Sequence, residues 1–167
     1  MNIRRYRLGE EPEIWGVLYS ATRNVIAREY TLEQVERWAP DDRDMEAWRV
    51  KLTKTNPFVA KVGDRIAGFA ELEPDGHIDC FYCHHQFQRQ GVGAALMAEV
   101  FAEARRLGLT RLYAEVSTTA HAFFLANGFV VDEETNDVVC GQPAKQFHMS
   151  NSAPNKSFNA DREDAAG

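Results

Sequence analysis

The chain has 167 residues, 44% of them hydrophobic and 26% charged, enough to bury one core in an ordinary globular domain. The net charge of −6, with no basic run or basic helix face, argues against a nucleic-acid partner. No apolar run approaches the roughly 20 residues of a membrane span, the N-terminal arginines have no apolar stretch behind them as a signal peptide would, and three cysteines without framework spacing suit reduced thiols in a cytoplasm.

In chain order, residues 2–7 alternate weakly and predict a first strand. Pro12 suits the first turn of a helix whose apolar side, Ile14, Trp15, Leu18, Val25 and Ile26, runs towards Tyr30. Thr31 with Gln34 has the spacing of a capping box for a short helix through Trp38, broken by Ala39-Pro40-Asp41-Asp42. Asp44 can cap a third helical piece containing Met45, Trp48 and Leu52. After Asn56-Pro57 the period falls to two, and residues 58–62 and 66–72 around Gly63-Asp64 predict a hairpin. Pro74-Asp75-Gly76 turns the chain into a strand over 78–83. A helix follows the two glycines 91 and 93, with Val92, Leu96, Val100 and Leu107 as its apolar stripe and Gly108 at its end. Residues 111–116 predict a strand and 118–126 a short helix closed by Asn127-Gly128. Residues 129–132 and roughly 145–149 predict two closing strands separated by a polar loop.

This order implies an α/β fold (α+β by some schemes): a mixed, mostly antiparallel sheet with helices on both faces. The strands either side of the long helix are expected to be parallel neighbours through a right-handed crossover. Residues 1–150 form one domain on this basis, and 151–167, with almost nothing to bury, a flexible polar tail.

The stretch from His77 to Leu107 organises the rest. Gly91 and Gly93 stand where a loop becomes a helix, and there the first N–H groups lack intrahelical partners and the macrodipole adds positive potential. Such a corner suits an anion, phosphate above all, and glycine lets it approach the amides closely. A dinucleotide fingerprint is ruled out because its third glycine would fall at Leu96, and the Lys-Ser/Thr ending of a P-loop is missing.

Gln88-Arg89-Gln90-Gly91-Val92-Gly93 fits the Q/R-x-x-G-x-G/A acyl-CoA motif of the GNAT N-acetyltransferase superfamily. Downstream, Ser117-Thr118-Thr119-Ala120-His121-Ala122-Phe123-Phe124, followed by Asn127-Gly128-Phe129, resembles the second signature of that family. The resemblance covers residues 58 to about 149, and the N-terminal third looks most like the small bacterial YafP-type branch. It implies an N-acetyltransferase, monomer or homodimer, that passes acetyl from acetyl-CoA directly to an amine of a small molecule or protein. The diphosphate would lie on backbone amides from Arg89 to Ala94. The pantetheine arm would pair with backbone of Phe81 and Cys83 beside Tyr82, as an added strand in a splayed parallel pair. Ser117 and Phe124 would flank the cofactor. A non-catalytic acyl-CoA-binding sensor or partner module is the alternative.

The resemblance places a general-acid tyrosine where this chain has Phe124, which has no proton to give. His121, one turn earlier, and Tyr82 and Tyr113 on neighbouring strands are possible substitutes, as is water. His77 occupies the place of a general base in some family members and has a suitable imidazole, but equally fits a turn. Glu71 and Asp79 are secondary candidates. His77, Cys80, Cys83, His84 and His85 look like metal ligands by count, yet Cys80 and Cys83 should point to opposite strand faces and no second Cys pair exists, so no metal is expected. Trp15, Tyr19, Arg23, Trp38 and Trp48 could line an acceptor wall or pack as core, and Glu29 and Glu33 could attract an amine or be solvated.

Overall fold

Local sequence sets most elements of the computed structural model, which describes residues 1–139 and 141–152. Strand β1 (Asn2–Arg5) leads into helix α1 (Glu11–Asn24), which opens on Pro12 with Glu11 and Glu13 in its first turn and Arg23 in its last, matching the macrodipole. The helix stops short of Tyr30 and gives way to a 3₁₀ turn over Ile26–Arg28 that buries Ile26. Helix α2 (Leu32–Trp38) has both halves of the capping box, Thr31 N–H to Gln34 Oε1 at 2.8 Å and Gln34 N–H to Thr31 Oγ1 at 3.2 Å. Helix α3 (Met45–Thr55) is capped by Asp44, whose Oδ1 accepts the Ala47 N–H at 3.0 Å.

The strands β2 (Phe58–Val62), β3 (Arg65–Leu72) and β4 (Ile78–Cys83) then form a meander beside β1. Ala70 pairs with Phe81 and Leu72 with Ile78, so β4 carries one residue more than β3, a bulge at Asp79–Cys80. Helix α4 (Val92–Arg106), strand β5 (Leu112–Ser117), helix α5 (His121–Ala126), and strands β6 (Val130–Val139) and β7 (Gln142–Asn151) complete the domain.

The sheet is in two pieces. One has the order β1-β2-β3-β4 and the other β5-β7-β6, antiparallel within each. The expected parallel contact between β4 and β5 shrinks to one bridge, His77 to Tyr113, where the Tyr113 N–H donates to the Gly76 carbonyl at 3.0 Å. Gly76 is required there: its φ is +97°, and a Cβ would stand 2.2 Å from the Arg111 carbonyl oxygen. Beyond this pin the strands diverge.

Two further expectations are corrected. The polar loop after residue 132 is instead a long hairpin, paired from Val130 with Ser150 to Val139 with Gln142. Strand β7 also runs through Asn151, one residue into the stretch read as tail, because Asn151 pairs with Leu112 and is buried. Residues 153–167 lie outside the described residues.

Each face has its own core. Leu96, Met97 and Val100 of α4 pack with Leu112, Val116, Phe124 and Phe129 on one side. Ile14, Val17 and Leu18 of α1 pack with Trp48, Leu52 and Phe69 on the other. The apolar stripe of α4 thus faces inward as its spacing requires.

Candidate active site

Where β4 and β5 part, a cleft of about 670 Å³ opens between them. The β4 ladder fixes what its edge offers. Tyr82 lies opposite Phe69, and the His84 N–H donates to the Ala67 carbonyl at 2.9 Å. Antiparallel pairing alternates, so the backbone groups of Phe81 and Cys83 turn away from β3 and face the cleft. Gln88 Nε2 reaches back to the Cys83 carbonyl at 2.8 Å and ties the following loop to this edge.

The loop delivers the N-terminus of α4 to the same cleft. Gly91 caps it with φ +82°, a left-handed conformation in which a side chain would be strained. No side chain caps this end and its first turn holds no acid, so its amides meet the cleft with the helix dipole unopposed. At Gly93 the need for glycine is steric: a Cβ would sit 3.1 Å from the Phe123 ring. Phe81, Phe123 and Phe124 form an aromatic wall, with Phe81 5.3 Å from Phe123 and 5.9 Å from Phe124 between centroids. Every position expected at the cofactor lines this cleft except Gln90, whose side chain donates to the Gln86 carbonyl at 3.0 Å.

The acid–base candidates separate, and Tyr113 does not line the cleft, its hydroxyl donating to Asp75 instead. Tyr82 lines the cleft, and its hydroxyl accepts the Trp38 indole N–H at 2.9 Å. Indole is a donor only, so that bond leaves the tyrosine's own hydrogen available. Burial holds the Tyr82 hydroxyl firmly protonated. His77 does not line the cleft. Its Nδ1 lies 2.8 Å from Glu73 and its Nε2 2.6 Å from Glu115, with the ring stacked on Tyr113. Burial alone would lower its pKa, but the hydrogen bonds with Glu115 and Glu73 overcome that and raise it. A base needs a free lone pair, and here both ring nitrogens are engaged by carboxylates. His121 also misses the cleft, its ring stacked 4.2 Å from Phe147.

Glu115 was not singled out by the sequence, where it looks like any solvent-facing strand residue. The His77–Tyr113 bridge puts it and Asp79 each two residues beyond the pin, and both line the cleft. Asp79 takes Lys51 Nζ at 2.7 Å; burial would raise its pKa, but the ammonium more than compensates. The same ammonium is 3.2 Å from Glu71, which is fully buried, accepts Thr55 Oγ1 at 3.0 Å and is pushed up by burial. Among the described residues, Glu71, Asp79 and Cys80 are the one trio within reach of a single ion, and Lys51 already supplies the positive charge among them. Cys80 joins the α1 side and Cys83 the α4 side, so these two cysteines do not converge. Burial lifts the Cys83 thiol to about 11, the wrong direction for a nucleophile.

Of the aromatics expected on an acceptor wall, only Trp38 lines the cleft. Trp15 packs 5.5 Å from Trp48 in the second core, Tyr19 donates to Asp41 at 2.6 Å, and Arg23 donates to the Ala39 carbonyl at 2.8 and 3.1 Å. The segment around α2 is also tied to the β6–β7 hairpin. Tyr30 donates to the Lys145 carbonyl at 2.7 Å, Gln34 Nε2 to the Pro143 carbonyl at 2.5 Å, and Gln142 Nε2 to Glu33 at 2.9 Å.

Among the described residues no helix is long and apolar enough to cross a membrane. Comparison with curated proteins gives no match. Among solved structures, a GCN5-related N-acetyltransferase from Rhodopseudomonas palustris shares 25% identity over 90% of this chain and 94% of its own, with a TM-score of 0.85. The PaiA N-acetyltransferase of Thermoplasma acidophilum, in complex with coenzyme A, shares the fold at 17% identity (91% and 99% covered, TM-score 0.72). So does YncA of Salmonella typhimurium with its cofactor acetyl-CoA, at 18% identity (94% and 96% covered, TM-score 0.65). An acetyltransferase (GNAT) domain matches residues 26–143. That span exceeds half of the chain and contains both walls of the divided sheet, so this protein belongs to the GNAT acetyltransferase family.

Proposed function

We propose that the protein transfers an acetyl group from acetyl-CoA directly to an amine. The observation that carries this is the meeting of an unpaired strand edge with an uncapped, acid-free helix N-terminus in one cleft. The amides of Val92, Gly93 and Ala94 suit a diphosphate. The backbone of Phe81 and Cys83 offers the alternating donors and acceptors that an amide-containing arm would pair with. Both fit a CoA thioester, which supplies an activated acetyl group and a thiolate leaving group. Within the family, the N-terminal third still looks most like the YafP-type branch.

For the proton steps we assign Tyr82 as donor to the leaving sulfur, since Phe124 cannot serve and the Tyr82 hydrogen is uncommitted. Glu115 is the group placed to accept a proton from the amine. His77 acts behind it, holding its carboxylate in position through the 2.6 Å bond. Direct transfer also agrees with Cys83, whose raised pKa opposes an acyl-enzyme.

Phe124, buried at 4% exposure among Phe81, Phe123 and Phe129, favours one second possibility, a binding module without turnover. Calorimetry with CoA and acetyl-CoA, followed by thiol release with an amine panel, separates them. Binding with amine-dependent thiol release supports the enzyme. Binding without release across the panel supports the module, and no binding of either ligand refutes both.

A further inference from the structure

Resting on the acetyl-transfer function proposed above, we infer that the acceptor is a small primary amine on an apolar body, carrying no carboxylate of its own. Three features of the cleft and its surroundings converge on this. Its walls are apolar: Ala21 of α1, Val25 at the C-cap of that helix, the buried Ile26 after it, and the Trp38 indole all line it. Such surface gains by covering hydrocarbon and loses by desolvating extra charged groups.

Its charge away from the α4 mouth is of one sign. Asp79 and Glu115 line the cleft just beyond the His77–Tyr113 bridge, while the basic side chain lining it among the described residues is Arg89, at the α4 mouth. Lys51 and His77 do not reach the lining. Each stands behind its carboxylate and is matched by a second one, Glu71 for Lys51 and Glu73 for His77. An incoming ammonium is therefore attracted, whereas a carboxylate on the acceptor would find no counter-charge and two like charges.

The α2 side is also bridged to the other half of the sheet. The bonds from Tyr30, Gln34 and Gln142 join the α2 segment to the β6–β7 hairpin, and the Thr118 N–H adds a bond to the Tyr30 hydroxyl at 3.1 Å. A peptide would need an open groove for its backbone on this side; a compact amine does not.

The test uses the full chain with acetyl-CoA and follows thiol release. Phenethylamine, hexylamine and tryptamine are compared with L-phenylalanine, which is phenethylamine bearing a carboxylate, and with a hexapeptide having a free amino terminus. At least one apolar amine should exceed both in kcat/KM by about tenfold or more. Glu115→Gln should narrow the ratio of phenethylamine to phenylalanine. Equal or better use of phenylalanine or the peptide overturns the inference, as does an unchanged ratio in the variant. Failure of all three apolar amines while calorimetry still shows acetyl-CoA binding overturns it but leaves acetyl transfer standing. Failure to bind acetyl-CoA overturns both.

Discussion

Replacing Gly76 by alanine should damage the protein far more than the same change at Gly9. Both residues have nearly the same φ, +97° and +98°, so the conformational penalty of about 1–2 kcal/mol is common to both. Their surroundings differ. A Cβ at Gly9 meets nothing within 4 Å, whereas at Gly76 it would lie 2.2 Å from the Arg111 carbonyl oxygen and 3.3 Å from its carbon. Backbone has no rotamer to yield, so the strands must separate by about 1 Å to restore normal contact, an overpacking cost of about 1–3 kcal/mol. The shift would also strain the Tyr113 N–H to Gly76 carbonyl bond, worth about 1 kcal/mol. Gly76→Ala should therefore cost about 3–6 kcal/mol and Gly9→Ala about 1–2 kcal/mol. Urea unfolding at pH 7, with unchanged m-values, measures the difference. Two variants within about 0.5 kcal/mol of each other would refute the claim that this contact pins the two sheets together.

Ala94→Asp places a carboxylate in the first turn of α4, which should raise Tm through the dipole while weakening acetyl-CoA binding in calorimetry by tenfold or more; gains in both would remove the anion site from α4. Tyr82→Phe should lower kcat by about 10²–10⁴-fold with acetyl-CoA affinity preserved. Adding Phe124→Tyr to that variant should recover part of the rate, and a Tyr82→Phe enzyme of full activity rules out the assigned donor. His77→Ala probes the carboxylate pair. Because the folded pKa of His77 is raised above its ordinary 6.5, its stabilising contribution is present below that value and lost as pH rises through the folded pKa. The Tm gap between wild type and variant should therefore be widest near pH 6 and shrink towards pH 9, and a gap that grows with pH contradicts the ion-pair assignment.

Features fixed by near neighbours could be read from the chain. The capping box at Thr31 and Gln34, the Asp44 cap, the Gly63 turn and the start of α4 each depend on residues a few positions apart. The outer hairpin could not, because Asp132, Glu133, Glu134, Asn136 and Asp137 are polar on both faces and show no period of two. His77 misled for a related reason. Its identity suits a base, but Glu115, which takes one of its nitrogens, is 38 residues away and becomes a neighbour through the single bridge to Tyr113. Tyr82 gained its assignment from Trp38, 44 residues distant. The family resemblance carried the cleft's position, yet tertiary contact alone decided which proton-bearing groups reach it.

The interrupted sheet also bears on solubility. Strand margins are usually hazardous on the outside of a protein, where unsatisfied amides can recruit a neighbouring molecule into an aggregate. Here the edge of β4 beyond the His77–Tyr113 bridge faces the cleft, with the α1 core on one side and the α4 core on the other. The same adhesive backbone that would threaten a crowded solution is thereby turned towards the other half of the sheet and away from neighbouring molecules.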